Sequence, residues 1–293
     1  MRLLITYAYN KFMYWKLNRK KMKTKKLSFN FFSSLFIICL SFLMLSCSSQ
    51  KRVKANADPP FHLYLLVGQS NMAGRGKVDS LSTPENPRLL MFNKYNEWEL
   101  AKDPLHFDKP DVAGVGPGLA FAQKMLTYQK DKNVKIGLIP CAVGGTSIEL
   151  WQPGKGNDTA GGKSYPYDDA VKRLRVAMQS GVVKGIIWHQ GESDSKEERA
   201  SVYLDELQTL VNRLRNEIGN QQVPFVAGEL GNYREEYKLI NRELEKLTDV
   251  VPFSAVASSE GLVHKGDGTH LDSKSARELG VRMAEKMHKL QVE

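Results

Sequence analysis

The sequence predicts one doubly wound, three-layer α/β domain with a mainly parallel sheet, and three observations predict it. From Phe61 onward, short apolar runs alternate with longer amphipathic ones, the order that builds strand–helix–strand units. The short runs are rich in Val, Ile, Leu and Phe and lack polar alternation, as suits strands covered on both faces. Clusters of Gly, Ser, His and Asp follow several of these runs, at the carboxyl edge where open α/β sheets bind ligands.

Each element has its own signal. Phe61–Val67 is apolar and ends at Gly68, with a helix expected to start near Ser70. Residues 80–111 hold Pro84, Pro87, Trp98 and Pro104 and read as loops with one or two short strands near Leu89–Phe92. A helix over 117–130 precedes a strand over 134–140. Residues 151–166, rich in Gly and Pro, form a second long loop before a helix over 167–180 and a strand over 184–189. The helix over 196–218 places Leu204, Leu207, Leu210, Val211 and Leu214 on one face. A strand over 224–228, a helix over 233–247 and a strand over 251–257 follow. The last helix, over 273–290, starts at Asp272-Ser273, a capping signal.

The first 46 residues are set apart. Arg19 to Lys26 carries six basic residues and 29–44 is nearly all apolar, the basic and apolar regions of a secretory signal. The apolar run is short for a membrane span of about 20 residues. Leu43-Met44-Leu45-Ser46-Cys47 resembles the lipobox of bacterial lipoproteins, which implies lipidation at Cys47. The expected organisation is a signal peptide over 1–46, a tether over 47–60 and a catalytic domain over 61–293, exported to the cell envelope on a lipid anchor. Nine of the 42 basic residues lie in 2–26, where there is no acid, so 33 basic face 32 acidic residues in the remainder. The net charge of +10 therefore belongs to the leader, and a nucleic-acid partner is excluded on that ground. Of Cys39, Cys47 and Cys141, only Cys141 falls in the domain, so no disulfide within it is expected. Cys141 reads as a small buried hydrophobe.

Four stretches carry the chemistry: Gly68-Gln69-Ser70-Asn71, Cys141 to Ile148, His189-Gln190-Gly191-Glu192 and Asp267-Gly268-Thr269-His270. Serine hydrolysis needs a nucleophile, a base, a carboxylate to orient the base and donors for the oxyanion. Ser70 can be the nucleophile, His270 the base and Asp267 its partner. Gly144 or Gly145 lets a backbone N–H approach the developing charge, and the Ser70 N–H and Gln190 amide are further donors. Glu192 reads as support for the site, and His189 as a strand-end residue packed beneath it rather than a metal ligand with Glu192 or Asp194. No Walker pattern or dinucleotide fingerprint is present, and neither metal nor cofactor is expected. His62 and His264 read as bystanders.

In order and composition these stretches resemble the blocks of the SGNH hydrolases, in the sialate O-acetylesterase and acetylxylan esterase branch. The blocks there read Gly-Gln-Ser-Asn, Gly-Gly-Thr-Ser-Ile, His-Gln-Gly-Glu and Asp-Gly-x-His, as at 68–71, 144–148, 189–192 and 267–270. The resemblance spans 63–280. It implies a flavodoxin-like sheet, a triad of Ser70, Asp267 and His270, and an oxyanion hole from Ser70, Gly144, Gly145 and Gln190, with Gly145 the favoured glycine. Gln69, Asn71 and Glu192 would support the site. The implied activity is release of acetate from acetylated carbohydrate without a cofactor. Sialate-specific members are usually longer, so the compact chain resembles acetylxylan esterases more. A glycan-binding lipoprotein and a lipase or thioesterase are the competing readings. Trp98, Trp151 and Tyr165 are candidates for stacking on sugar or for packing.

Overall fold

The computed structural model describes residues 60–159 and 162–292. The predicted signal peptide, Cys47 and nearly all of the tether lie outside the described residues. Among the described residues no helix is long and apolar enough to cross a membrane.

The sheet has seven strands: β1 (Phe61–Gly68), β2 (Leu89–Phe92), β3 (Trp98–Leu100), β4 (Lys135–Pro140), β7 (Val182–His189), β8 (Phe225–Gly228) and β9 (Ser254–Ala257). Their order is β3-β2-β4-β1-β7-β8-β9. All neighbours are parallel except β2 and β3. The doubly wound domain is therefore observed, with one antiparallel edge strand. A hairpin of β5 (Asn157–Thr159) and β6 (Gly162–Ser164) stands apart, in the segment expected to be wholly loop.

The helices are α1 (Ser70–Ala73), α2 (Gly118–Thr127), α3 (Pro166–Ala177), α4 (Glu197–Ile218), α5 (Tyr237–Glu245), α6 (Leu247–Val250) and α7 (Ser273–Val292). Asp272 caps α7, its carboxylate accepting the Ser275 N–H at 2.7 Å. The segment expected as one helix over 233–247 is shorter and is followed by a second turn, α6.

Strand alternation explains the three layers. On β1, Leu63, Leu65 and Val67 face one core with Leu174, Leu207 and Val211. Tyr64 and Leu66 face the other with Phe121, Leu279 and Met283. Because both faces are covered, β1 is apolar at nearly every position. From β1 the chain builds outward on one side through β2 and β4, then on the other through β7, β8 and β9. The carboxyl ends of β4, β1 and β7 are thus neighbours at the reversal point, where such sheets hold their ligands.

One buried carboxyl gives the fold a pH dependence. Asp103 is 4 % exposed and neither oxygen meets a hydrogen-bond donor. Burial pushes its carboxyl up to about 7, against the opposing pull of Arg277. The folded state therefore favours the protonated form. Stability from this group is complete below the ordinary carboxylate range and declines as pH rises towards that raised value. Asp103→Asn, which mimics the protonated form, is expected to melt above the wild type at about pH 8 and level with it at about pH 4. Thermal melts at the two pH values check this.

Candidate active site

Ser70 is delivered by the end of β1. Gly68 has φ +134°, and a Cβ there would stand 2.1 Å from the His189 carbonyl oxygen, so a side chain is excluded by both conformation and contact. The close pass lets the Gln69 N–H donate to that carbonyl at 2.9 Å. The turn fixes Ser70 as the first residue of α1, 6 % exposed. The N-cap position belongs to Gln69, whose side chain makes no capping bond. Its Oγ lies 3.1 Å from His270 Nε2.

His270 comes from the long loop between β9 and α7. Its Nδ1 is 2.7 Å from Asp267 Oδ2, and Asp267 Oδ1 accepts the backbone N–H groups of Thr269 and His270 at 3.0 and 2.8 Å. Burial pushes the Asp267 carboxyl up, but the N–H of His270, its ring and the N–H of Thr269 outweigh it and hold the group well below the usual carboxylate range. The structure thus brings Ser70, His270 and Asp267 into one hydrogen-bonded line.

Asn71 ties the two segments together. Its Nδ2 donates to Glu192 Oε1 at 2.6 Å and to the Thr269 carbonyl at 3.1 Å, while its Oδ1 accepts the Leu271 N–H at 2.9 Å. One buried amide therefore holds the nucleophile turn, the His270 loop and the third sequence block in register. Glu192 supports the site through this bond. Asn71→Ala leaves Glu192 Oε1 and the Leu271 N–H without that partner, at about 1–3 kcal/mol for each buried group. The variant is expected to melt lower and to lose turnover as the His270 loop loosens, read from thermal melts and kcat.

The donors divide differently from the sequence expectation. The Gly144 N–H donates to Asp108 Oδ2 at 2.8 Å and is not free for an oxyanion. Asp108 also pairs with Arg75 at 2.7 Å, both side chains buried. A Cβ on Gly144 would stand 2.4 Å from Arg75 Nη2 and 3.5 Å from Ser70 Cβ. Gln190 is fully buried, and its Nε2 faces Asp194 Oδ2 at 2.5 Å, the Thr146 carbonyl at 3.0 Å and Gln69 Oε1 at 3.1 Å. An amide has two hydrogens, and both are committed to these acceptors. In this arrangement Gln190 braces the back of the cradle, and the Gly144 N–H is bonded to Asp108. The backbone N–H groups of Ser70 and Gly145 donate to no group among the described residues. Gly145, at φ +83° and with Lys109 Nζ, 3.8 Å from where its Cβ would stand, as the one near neighbour, is the better placed glycine.

Sequence reasoning missed several supports. Asp194 is buried and accepts from the Ile148 N–H at 2.9 Å as well as from Gln190, joining the second and third blocks. Burial raises its carboxyl above the ordinary value against these bonds. His264, read as a bystander, accepts the N–H groups of Gly266 and Gly268 on Nδ1 at 3.0 and 3.1 Å. Tyr233 Oη and Arg234 Nε donate to the carbonyls of Thr269 and Gly268 at 2.8 and 2.6 Å. Their signal in sequence was only proximity to the Asp267 block, or none for Tyr233 and Arg234. His189 lies beneath the site, its Nε2 3.1 Å from the Glu229 carbonyl, and burial pushes its ring down towards neutrality. Cys141 is buried and its thiol is pushed up to about 11 by burial, which removes it as a nucleophile. Trp151 packs edge-on against Trp188 and donates to Thr146 Oγ1 at 3.2 Å. Trp98 packs against Phe61 and Phe92. Both tryptophans serve packing.

The family model described as carbohydrate esterase, sialic acid-specific acetylesterase, matches residues 60–289. A probable carbohydrate esterase of Arabidopsis thaliana, At4g34215, is 33% identical over 248 residues, covering 78% of this chain and 90% of the relative. The X-ray structure of the Arabidopsis thaliana protein AT4G34215 superposes with a TM-score of 0.70 at 30% identity, covering 79% of this chain and 99% of that one. NanS shares the fold at a TM-score of 0.61 and 16% identity, over 79% of this chain and 98% of its own. So does XAC1771, a carbohydrate acetylesterase from Xanthomonas citri, at 0.60 and 21%, over 78% and 56%.

Proposed function

The chain belongs to the sialic acid-specific acetylesterase family of carbohydrate esterases, and from that membership we propose how it acts and on what. It is a carbohydrate acetylesterase, a carboxylic ester hydrolase. The observation that carries the mechanism is the line from Ser70 Oγ through His270 to Asp267. His270 Nε2 takes the serine proton as Oγ attacks the acetyl carbonyl. Asp267 holds the proton on Nδ1 and stabilises the imidazolium. The N–H groups of Ser70 and Gly145 receive the oxyanion. His270 then gives its proton to the departing sugar oxygen, leaving an acetyl-enzyme. Water, activated by the same imidazole, releases acetate and restores Ser70.

The favoured substrate is an acetylated polysaccharide of the acetylxylan type. The supporting observation is that the four blocks share one sheet domain with no second domain inserted among the described residues. Sialate is the second reading, favoured by the description of the matching family. Acetate release by the full chain from acetylated xylan and from O-acetylated sialic acid, measured side by side, decides between them. Greater release from xylan is expected, and greater release from the sialic acid reverses the preference. We also propose that Cys47 carries a lipid that holds the enzyme in the cell envelope. Cys47→Ser is expected to move it from the membrane to the soluble fraction, and an unchanged distribution would overturn the anchor.

A further inference from the structure

We infer that Arg75 and Asp108 are positioning residues of the oxyanion hole, a buried ion pair that clamps the turn bearing Gly145 to the turn bearing Ser70. The inference rests on reading the site as a serine esterase whose oxyanion donors are the Ser70 and Gly145 N–H groups.

Those two donors belong to separate pieces of the chain. Ser70 opens α1 after β1, and Gly145 lies in the turn after β4. Other bonds seat the ends of that second turn. The Val143 N–H donates to the Gly68 carbonyl at 3.0 Å, and the Ile148 N–H to Asp194 Oδ2 at 2.9 Å. Between them the Gly144 N–H, one residue from the Gly145 donor, is held by Asp108 Oδ2 at 2.8 Å.

Asp108 is held in turn from the nucleophile side. The same Oδ2 accepts Arg75 Nη2 at 2.7 Å, while Arg75 Nη1 donates to the Gly74 carbonyl at 2.7 Å. Gly74 closes α1, its own N–H donating to the Ser70 carbonyl at 2.9 Å. The backbone just beyond is pinned by the bridge between Gly76 and Val115. A run of hydrogen bonds thus leads from the Ser70 turn through Arg75 and Asp108 to the Gly144 N–H. Glycine at 144 leaves room for it, since a Cβ there would stand 2.4 Å from Arg75 Nη2.

The charges fit this role. A bare carboxylate so near the oxyanion would oppose the developing charge. The guanidinium cancels it, and its planar fork spans both acceptors. Burial works against the charged carboxylate, but Arg75 and the Gly144 N–H outweigh it and hold Asp108 below its ordinary value. Buried pairs are weak sources of stability, and apolar residues of similar volume often replace them without loss. Between two oxyanion donors the pair has another use, because such donors stabilise most when fixed before the charge develops.

The test measures kcat and KM of the full-length chain on 4-nitrophenyl acetate, its thermal melt, and inhibition by trifluoroacetone, whose adduct with Ser70 places an oxyanion in the hole. Arg75→Met combined with Asp108→Leu removes both charges and the clamp together. Asp108→Asn keeps an oxygen for the Gly144 N–H and Arg75. In the double variant kcat is expected to fall about 100-fold, within the range for loss of one oxyanion donor. KM should stay unchanged, and trifluoroacetone should bind more weakly by a similar factor. Asp108→Asn should retain most of kcat. A merely structural pair would shift the melt and leave kcat of the folded enzyme alone. Wild-type kcat in the folded double variant, or an equal loss in Asp108→Asn, would overturn the clamp. If the double variant does not fold, Arg75→Lys decides, because it keeps the charge without the fork. A lowered kcat at unchanged KM is then the expected result, and wild-type kcat would overturn the inference. A wild type inactive on this ester would strike the esterase mechanism itself, and the clamp with it.

Discussion

Ser70→Ala is expected to lower kcat at least about 10⁴-fold while leaving the melting curve almost unchanged. Loss of a serine nucleophile typically removes nearly all of the chemical acceleration, with the residue left to oxyanion donors and binding. The structural side of the change is small. The Oγ makes one hydrogen bond among the described residues, to His270 at 3.1 Å, and a single bond of this kind contributes about 1 kcal/mol to stability. The turn that presents the serine is held by backbone, through the Gln69 N–H and the close pass of Gly68 on His189. Turnover and stability should therefore separate cleanly. Near wild-type acetate release from the variant would remove Ser70 from the mechanism.

The second large effect belongs to Asp267→Asn, expected to cost about 10³-fold in kcat. An asparagine keeps the shape but cannot keep the imidazole in the tautomer that leaves Nε2 ready to accept the serine proton, a change known to cost as much as about 10⁴-fold in a buried triad. Asp267 is over a third exposed, so water can partly replace the lost acceptor and the smaller figure applies. The depressed carboxyl has a separate consequence. Its stabilising contribution is complete above the ordinary carboxylate value and is lost only as pH falls below it. Protonation of Asp267 therefore does not set the acid limb of the rate profile. Comparing kcat against pH for wild type and variant checks both statements. An Asp267→Asn enzyme of undiminished kcat would show that the loop alone orients His270.

Much of this was legible in the chain because the physics was local. A short, largely apolar run ending in glycine reads as a covered strand with a tight exit, and β1 is that strand. The Asp-x-x-His spacing lets one loop present both side chains, which is how Asp267 and His270 lie. What the sequence did not show was allocation. Gly144 and Gly145 are indistinguishable as letters, and only the position of Asp108, brought in by a distant loop, commits one N–H and leaves the other. Gln190 read as a donor to substrate because the burial of Asp194 four residues later, which claims its amide, depends on how α4 and the 148–151 turn pack. Arg234 and Tyr233, which clamp the His270 loop, come from a segment with no motif. Pairings across the sheet edge are tertiary facts and leave no spacing to recognise.

The central claim is that Ser70 becomes acetylated during turnover. Rapid acid quench of the full-length enzyme with excess acetylated substrate, followed by digestion and peptide mass spectrometry, tests it directly. The expected result is the mass of one acetyl group on the peptide carrying Ser70, absent without substrate and absent in Ser70→Ala. An acetyl group trapped on another residue, or steady acetate release with Ser70 never modified, would contradict it.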